Sequence, residues 1–131
     1  MNDWTEHIKE ACRAAERAYA PYSNFRVGSV VIVDDGSEYP GCNVENAAYG
    51  SSICAEANAV AHAVAAGHRK IDTVVVASPD DDKPLYPCGN CRQVMQEFGV
   101  ERVIVQDGLG GWIEHRFQEL FPYSFGPEDL A

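Results

Sequence analysis

Residues 71–106, IDTVVVASPDDDKPLYPCGNCRQVMQEFGVERVIVQ, decide the fold. The stretch opens on IDTVVVAS, a short continuous apolar run that predicts a strand buried on both faces. A loop with three consecutive aspartates, Asp80 to Asp82, follows. A helix is predicted from Pro87 or Cys88 to about Gly99, since proline favours the start of a helix and glycine its end. ERVIVQ is the next strand. Strand, helix and strand in this order predict a parallel pair joined by a right-handed crossover.

Toward the C-terminus, length settles the next step. Gln106 to Gly111 is a Gly-rich link of six residues, with GWIEHR as a weak strand behind it. So short a link holds no crossover helix, and this last strand must return antiparallel. FQELFPYSFGPEDLA reads as a helical turn and a tail.

Toward the N-terminus, CAEANAVAHAVAA predicts a helix starting near Ile53 or Cys54, capped by Ser51 or Ser52 and stopped at Gly67. Its Ala55, Ala59, Ala63 and Ala66 allow close packing. FRVGSVVIVDDGSEYPGCNV reads as a hairpin: a buried strand over Val27–Val33, a turn at Asp34-Asp35-Gly36, and a shorter strand to about Asn43. NVENAAYGSS is a polar loop. Trp4, Ile8, Cys12 and Ala15 recur at helical spacing, predicting a first helix from about Asp3 to Tyr19, capped by Asn2 or Asp3 and ended by Pro21. The whole reads as an α/β chain with a mixed five-stranded sheet, one domain over residues 1–131.

The chain carries 20 acidic and 10 basic residues, a net charge of −10. This argues against a nucleic-acid partner, which requires clustered Lys and Arg. No apolar run reaches membrane-spanning length, and MNDWTEHIKE lacks the apolar segment of a signal peptide, so a cytoplasmic location is expected. A small neutral or cationic ligand fits the charge better.

The five cysteines, Cys12, Cys42, Cys54, Cys88 and Cys91, form a poor disulfide framework. Cys54 and Cys88 each open a predicted helix, and Cys91 lies about one turn beyond Cys88. Helix N-termini stabilise thiolate, the form that binds metal. The two helices, each following one of two neighbouring strands of a parallel sheet, can converge at the strands' carboxyl ends. Three thiolates suit Zn²⁺ with one position left for water, and Glu56, two residues from Cys54, can carry that water's proton. The spacing alone leaves other readings open. Pro87-Cys88-Gly89-Asn90-Cys91 also fits a redox pair or two buried thiols, and Cys42 as a fourth ligand would close a structural site. Cys12 and Cys42 read better as core residues. His7, His62, His68 and His115 fit no ligand spacing.

YAPYSNFRVG, GCNVENAAYG, CAE and PCGNCRQ, in that order and spacing, resemble the small homotetrameric cytidine deaminases, from Tyr19 to the SFGPEDL tail. The resemblance implies a three-layer α/β/α fold and zinc-dependent deamination of cytidine or deoxycytidine at C4. It implies Cys54, Cys88 and Cys91 as zinc ligands and Glu56 as proton carrier. It also implies the Ala55 N–H on the ring carbonyl, Phe25 against the pyrimidine, and Asn43 with Glu45 on the ribose. Tyr49 and Phe125 are implied to reach a neighbouring subunit's site in a homotetramer. No basic cluster near NVEN could hold a phosphate. One position departs: where the family usually has arginine after Cys-Ala-Glu, this chain has Ala57. Three thiolates on Zn²⁺ carry net negative charge, and that arginine offsets it. Asn58 and Arg92 are the substitutes expected here, with a less acidic water and a roomier site. Alternatives are a deaminase of modified or N4-substituted cytosine nucleosides or blasticidin-like compounds, and a zinc-stabilised binding protein without turnover.

Overall fold

The computed structural model describes residues 2–130. The elements run α1 (Thr5–Ala15), β1 (Gly28–Val33), β2 (Glu38–Cys42), α2 (Ala55–Ala65), β3 (Ile71–Ala77), α3 (Gly89–Glu97), β4 (Arg102–Gln106), β5 (Trp112–Arg116) and the short α4 (Phe117–Leu120). The five strands form one sheet in the order β2-β1-β3-β4-β5. β3 and β4 are parallel, as the crossover requires, and β5 returns antiparallel to β4.

Alternation along the strands divides the core in two. Val30, Val75, Ala77 and Ile104 face one side and bury Trp4 and Ala11 of the α1 segment. Val31, Val33, Val74, Val76, Val103 and Val105 face the other and bury Ala59, Val60 and Ala63 of α2 with Cys91 and Met95 of α3. The result is helix, sheet and helix in three layers.

One expectation is corrected. The strands before α2 and α3 are not neighbours, because β1 lies between β2 and β3, antiparallel to both. The tight turn at Asp34–Ser37, with Gly36 at φ 89°, folds β2 back onto the outer edge of β1. β2 and β3 still run in the same direction, and Cys42 and Ala77 both stand opposite Gly28. The chain therefore leaves both strands at the same end of the sheet, and both helices begin there.

Smaller differences concern helix ends. α1 stops at Ala15 rather than Tyr19, and Asp3 receives the Thr5 N–H at 2.9 Å from just outside the helix. Ala66 lies exposed at the end of α2 and takes no part in the packing expected of it. Neither Ser51 nor Ser52 caps α2, whose N-cap position is held by Cys54.

Candidate metal centre

Cys54 is the N-cap residue of α2 and Cys88 that of α3, both with extended backbone. Cys91 is the third residue of α3 and fully buried. The two helices pack with these ends together, and the three sulfurs lie within 4.8 Å of one another. Cys54 Sγ and Cys88 Sγ are 3.7 Å apart. A tetrahedron with Zn–S bonds of about 2.3 Å has edges of about 3.8 Å, so the donor set fits zinc. Cys42 stands outside the cluster, at the end of β2.

A hydrogen bond from the Cys91 thiol lowers the Cys54 thiol below its ordinary range against the opposing effect of burial, with Cys88 assisting. The same bond, followed by burial, pushes Cys91 up. Free N–H groups in the first turns of α2 and α3 favour negative sulfur at this spot.

Glu56 sits in the first turn of α2, only 5 % exposed. Burial pushes its carboxyl up to about 7, with the Cys54 charge adding to the rise, and among the described residues it has no ion-pair partner. A buried carboxyl free of ion pairs can hold or release a proton near neutrality. Ala55, beside it, is fully buried and is the first residue of α2, so its N–H has no acceptor within the helix.

Asn43 and Glu45 flank Val44, which bridges to both Tyr19 and Ile53, so their side chains share one side of an extended segment. Both are already engaged. Asn43 Oδ1 accepts from Val27 N at 2.8 Å, and its Nδ2 donates to the Phe25 carbonyl at 2.9 Å. Glu45 accepts from the N–H groups of Tyr22 and Ser23 at 3.0 and 3.1 Å and from the Ser23 hydroxyl. The Ser23 hydroxyl is the main cause holding its carboxyl below the ordinary range. Glu45 and Tyr49 line a cleft of about 330 Å³ with Tyr22, Ser23 and Ser52. Phe25 is half-buried, Tyr49 is 76 % exposed, and Phe125 is 56 % exposed in the tail.

The substitutes expected for an arginine at position 57 do not reach sulfur. Ala57 packs half-buried against the core. Asn58 turns the other way, its Nδ2 donating to the Cys42 carbonyl at 2.8 Å. Arg92 places Nε on the Pro87 carbonyl at 2.9 Å and Nη1 on the Leu120 carbonyl. Among the described residues, no side-chain N–H donates to the three sulfurs.

Three positions not singled out in the sequence hold the surroundings. Asp80 grips Arg26 at 2.7 and 3.0 Å and takes the Arg26 N–H at 2.8 Å, fixing the chain next to Phe25. Gln106 is buried, accepting from Ser78 N and donating to the Asp81 and Lys83 carbonyls on the loop that leads to Pro87. Pro and Asp near a site are faint signals; a glutamine ending a strand is none.

Three thiols at two helix starts, beside a buried carboxyl that has no ion-pair partner among the described residues, are the donor set of a zinc hydrolase. Residues 1–107 match the model of the cytidine and deoxycytidylate deaminase zinc-binding region. The cytidine deaminase of Sporosarcina psychrophila is 41% identical over 126 residues, covering 95% of this chain and 92% of its own. That of Halalkalibacterium halodurans is 42% identical over 125 residues, covering 94% of each. The crystal structure of cytidine deaminase from Burkholderia pseudomallei superposes with a TM-score of 0.84 at 41% identity, over 92% of this chain and 97% of that one. The chain belongs to the cytidine and deoxycytidylate deaminase family.

Proposed function

We propose that this protein catalyses the zinc-dependent hydrolytic deamination of cytidine and deoxycytidine, giving uridine or deoxyuridine and ammonia. The observation that carries this is Glu56: buried, unpaired, and two residues from a thiol of the metal cluster. Cys54, Cys88 and Cys91 would hold Zn²⁺, which when bound would supply the Lewis acidity that makes water a nucleophile near neutral pH. Glu56 takes one proton from the attacking water and gives it to N3 of the ring as the C4–O bond forms; it then takes the remaining proton of the C4 hydroxyl and delivers it to the amine, whose C4–N bond breaks to release ammonia. The Ala55 N–H donates to the ring carbonyl, and Phe25 packs on the pyrimidine. Asn43 and Glu45 orient the sugar, each keeping spare capacity beyond its bonds to the protein: an amide hydrogen on Asn43 and lone pairs on Glu45. Arg26, the cation nearest Phe25 in sequence, is taken up by Asp80, which favours a nucleoside over a phosphorylated substrate.

The same reading extends to a homotetramer in which Tyr49 and Phe125 complete a neighbour's site, and to pyrimidine salvage in the cytoplasm. Exposed Tyr19, Tyr22, Val44, Tyr49 and Ile53 support the first, and five free cysteines suit a reducing compartment.

The test is Glu56→Gln, with zinc content and turnover measured on one sample against cytidine and deoxycytidine by ultraviolet absorbance. Zinc is expected to stay and the rate to fall by about 10²- to 10⁴-fold. A variant with full zinc and undiminished turnover would remove the proposal.

A further inference from the structure

Arg92 is half-buried, and among the described residues no carboxylate pairs with its guanidinium; both acceptors recorded for that group are backbone carbonyls in part-buried bonds. Such a charge is costly unless something nearby offsets it. Arg92 follows Cys91 in the chain, and it holds both carbonyls that bracket the Cys88 nitrogen and Cα. Its Nε donates to the Pro87 carbonyl at 2.9 Å, and its own backbone N–H donates to the Cys88 carbonyl at 3.0 Å. Pro87 itself is buried. The other end of the guanidinium reaches the Leu120 carbonyl at the end of α4. The neighbouring Gln93 Nε2 donates to the Phe125 carbonyl at 2.9 Å. Consecutive residues of α3 therefore tie the chain at Cys88 to the C-terminal segment.

We propose that Arg92 is the positioning residue of the metal centre: its guanidinium clamps the Pro87–Cys88 backbone against α4 and, without touching sulfur, stands as counter-charge to the thiolates. Two features make arginine necessary. The acceptors belong to different elements, and only a planar fork with several N–H donors reaches both from one side chain. Three thiolates leave a divalent ion with net negative charge, and a fixed cation one residue from a ligand opposes it. The proposal rests on the zinc reading. Its test needs no substrate, so its failure would leave the deamination reading standing.

The experiment measures zinc release from the loaded protein to a chelating dye for wild type, Arg92→Lys, Arg92→Gln, Arg92→Ala and Gln93→Ala. Arg92→Gln, which loses both fork and charge, is expected to release zinc at least about tenfold faster. Arg92→Lys, which keeps charge but loses the fork, is expected to fall between it and wild type. Millimolar guanidinium is expected to slow release from Arg92→Ala, an effect that general loosening of the fold would not give. Gln93→Ala frees the tail without touching Pro87 and is expected to match wild type. Melting curves of the loaded proteins check folding, and Arg92→Lys keeps the test alive if Arg92→Gln fails to fold. Wild-type release from Arg92→Gln would overturn the proposal. So would wild-type release from Arg92→Lys, which would reduce the role to charge, or release from Gln93→Ala as fast as from Arg92→Gln, which would place the effect in the tail.

Discussion

Asp80 shows how a residue outside the site governs the geometry within it. Its two oxygens accept from one edge of the Arg26 guanidinium, Nε and Nη2, and from the Arg26 N–H, and these bonds, the side-chain one first, hold its pKa down at about 2. Phe25 precedes Arg26, and the Asn43 amide grips the backbone on either side of Arg26. A depressed carboxylate adds stability that is fully present above its unfolded pKa, near 4, and is lost as pH falls through about 2. The melting temperature of Asp80→Asn is therefore expected below that of wild type at pH 6, with the gap closing between pH 4 and 2. A gap that stays constant across this range would count against the clamp. The cysteines and Glu56 were legible because their chemistry lies in side chains at fixed spacing from predicted helix starts. The partners of Asn58 and Arg92 were not, because they are the carbonyls of Cys42, Pro87 and Leu120, and a carbonyl has no sequence identity.

At the scale of elements, α2 has to be seated correctly before Cys54 and Glu56 can matter. The seat is Gly41 in β2, where a Cβ would lie 2.4 Å from the Ala59 nitrogen and 2.7 Å from the Ala55 oxygen. Both are backbone atoms of α2 and cannot turn aside. Gly41→Ala must lift the helix from the sheet, at a cost of about 1–3 kcal/mol or more. Because α2 carries Cys54 of the thiol cluster and Glu56, the proposed proton carrier, turnover is expected to fall further than stability alone explains. Thermal melts paired with turnover and zinc content would show this; a variant that loses stability but keeps its turnover would put the seat elsewhere. Strand identities and the direction of β5 were legible from apolar runs and link length, as was the parallel β3–β4 pair. The insertion of β1 between β2 and β3 was not, since a run such as SVVIV states that a strand is buried on both faces without naming its neighbours.

For the whole molecule, charge and exposed apolar surface pull in opposite directions. Copies at net −10 repel one another, so association has to rest on uncharged surface and gains when salt screens the repulsion. Tyr19, Val44 and Ile53 are joined by backbone bridges, and Tyr22 meets Tyr49 edge-on with ring centres 6.0 Å apart, giving one apolar patch around the Glu45 cleft. Phe125 projects from a tail that Gln93 fixes in place. If these surfaces meet between copies, each site draws residues from two chains, and two different defects complement each other. Glu56→Gln lacks the proton carrier but has an intact tail; Phe125→Ala keeps Glu56 but lacks the aromatic its neighbour needs. Separately, both preparations are expected to be impaired. Dissociated and reassociated together, they form hybrids in which some sites pair a native Glu56 with a partner's native Phe125. The mixture is then expected to exceed the summed activity of its components, and sedimentation to show one assembled species that tightens as salt is raised. Strictly additive activity after confirmed exchange of subunits would mean that Phe125 serves its own chain, and the shared site would have to be abandoned.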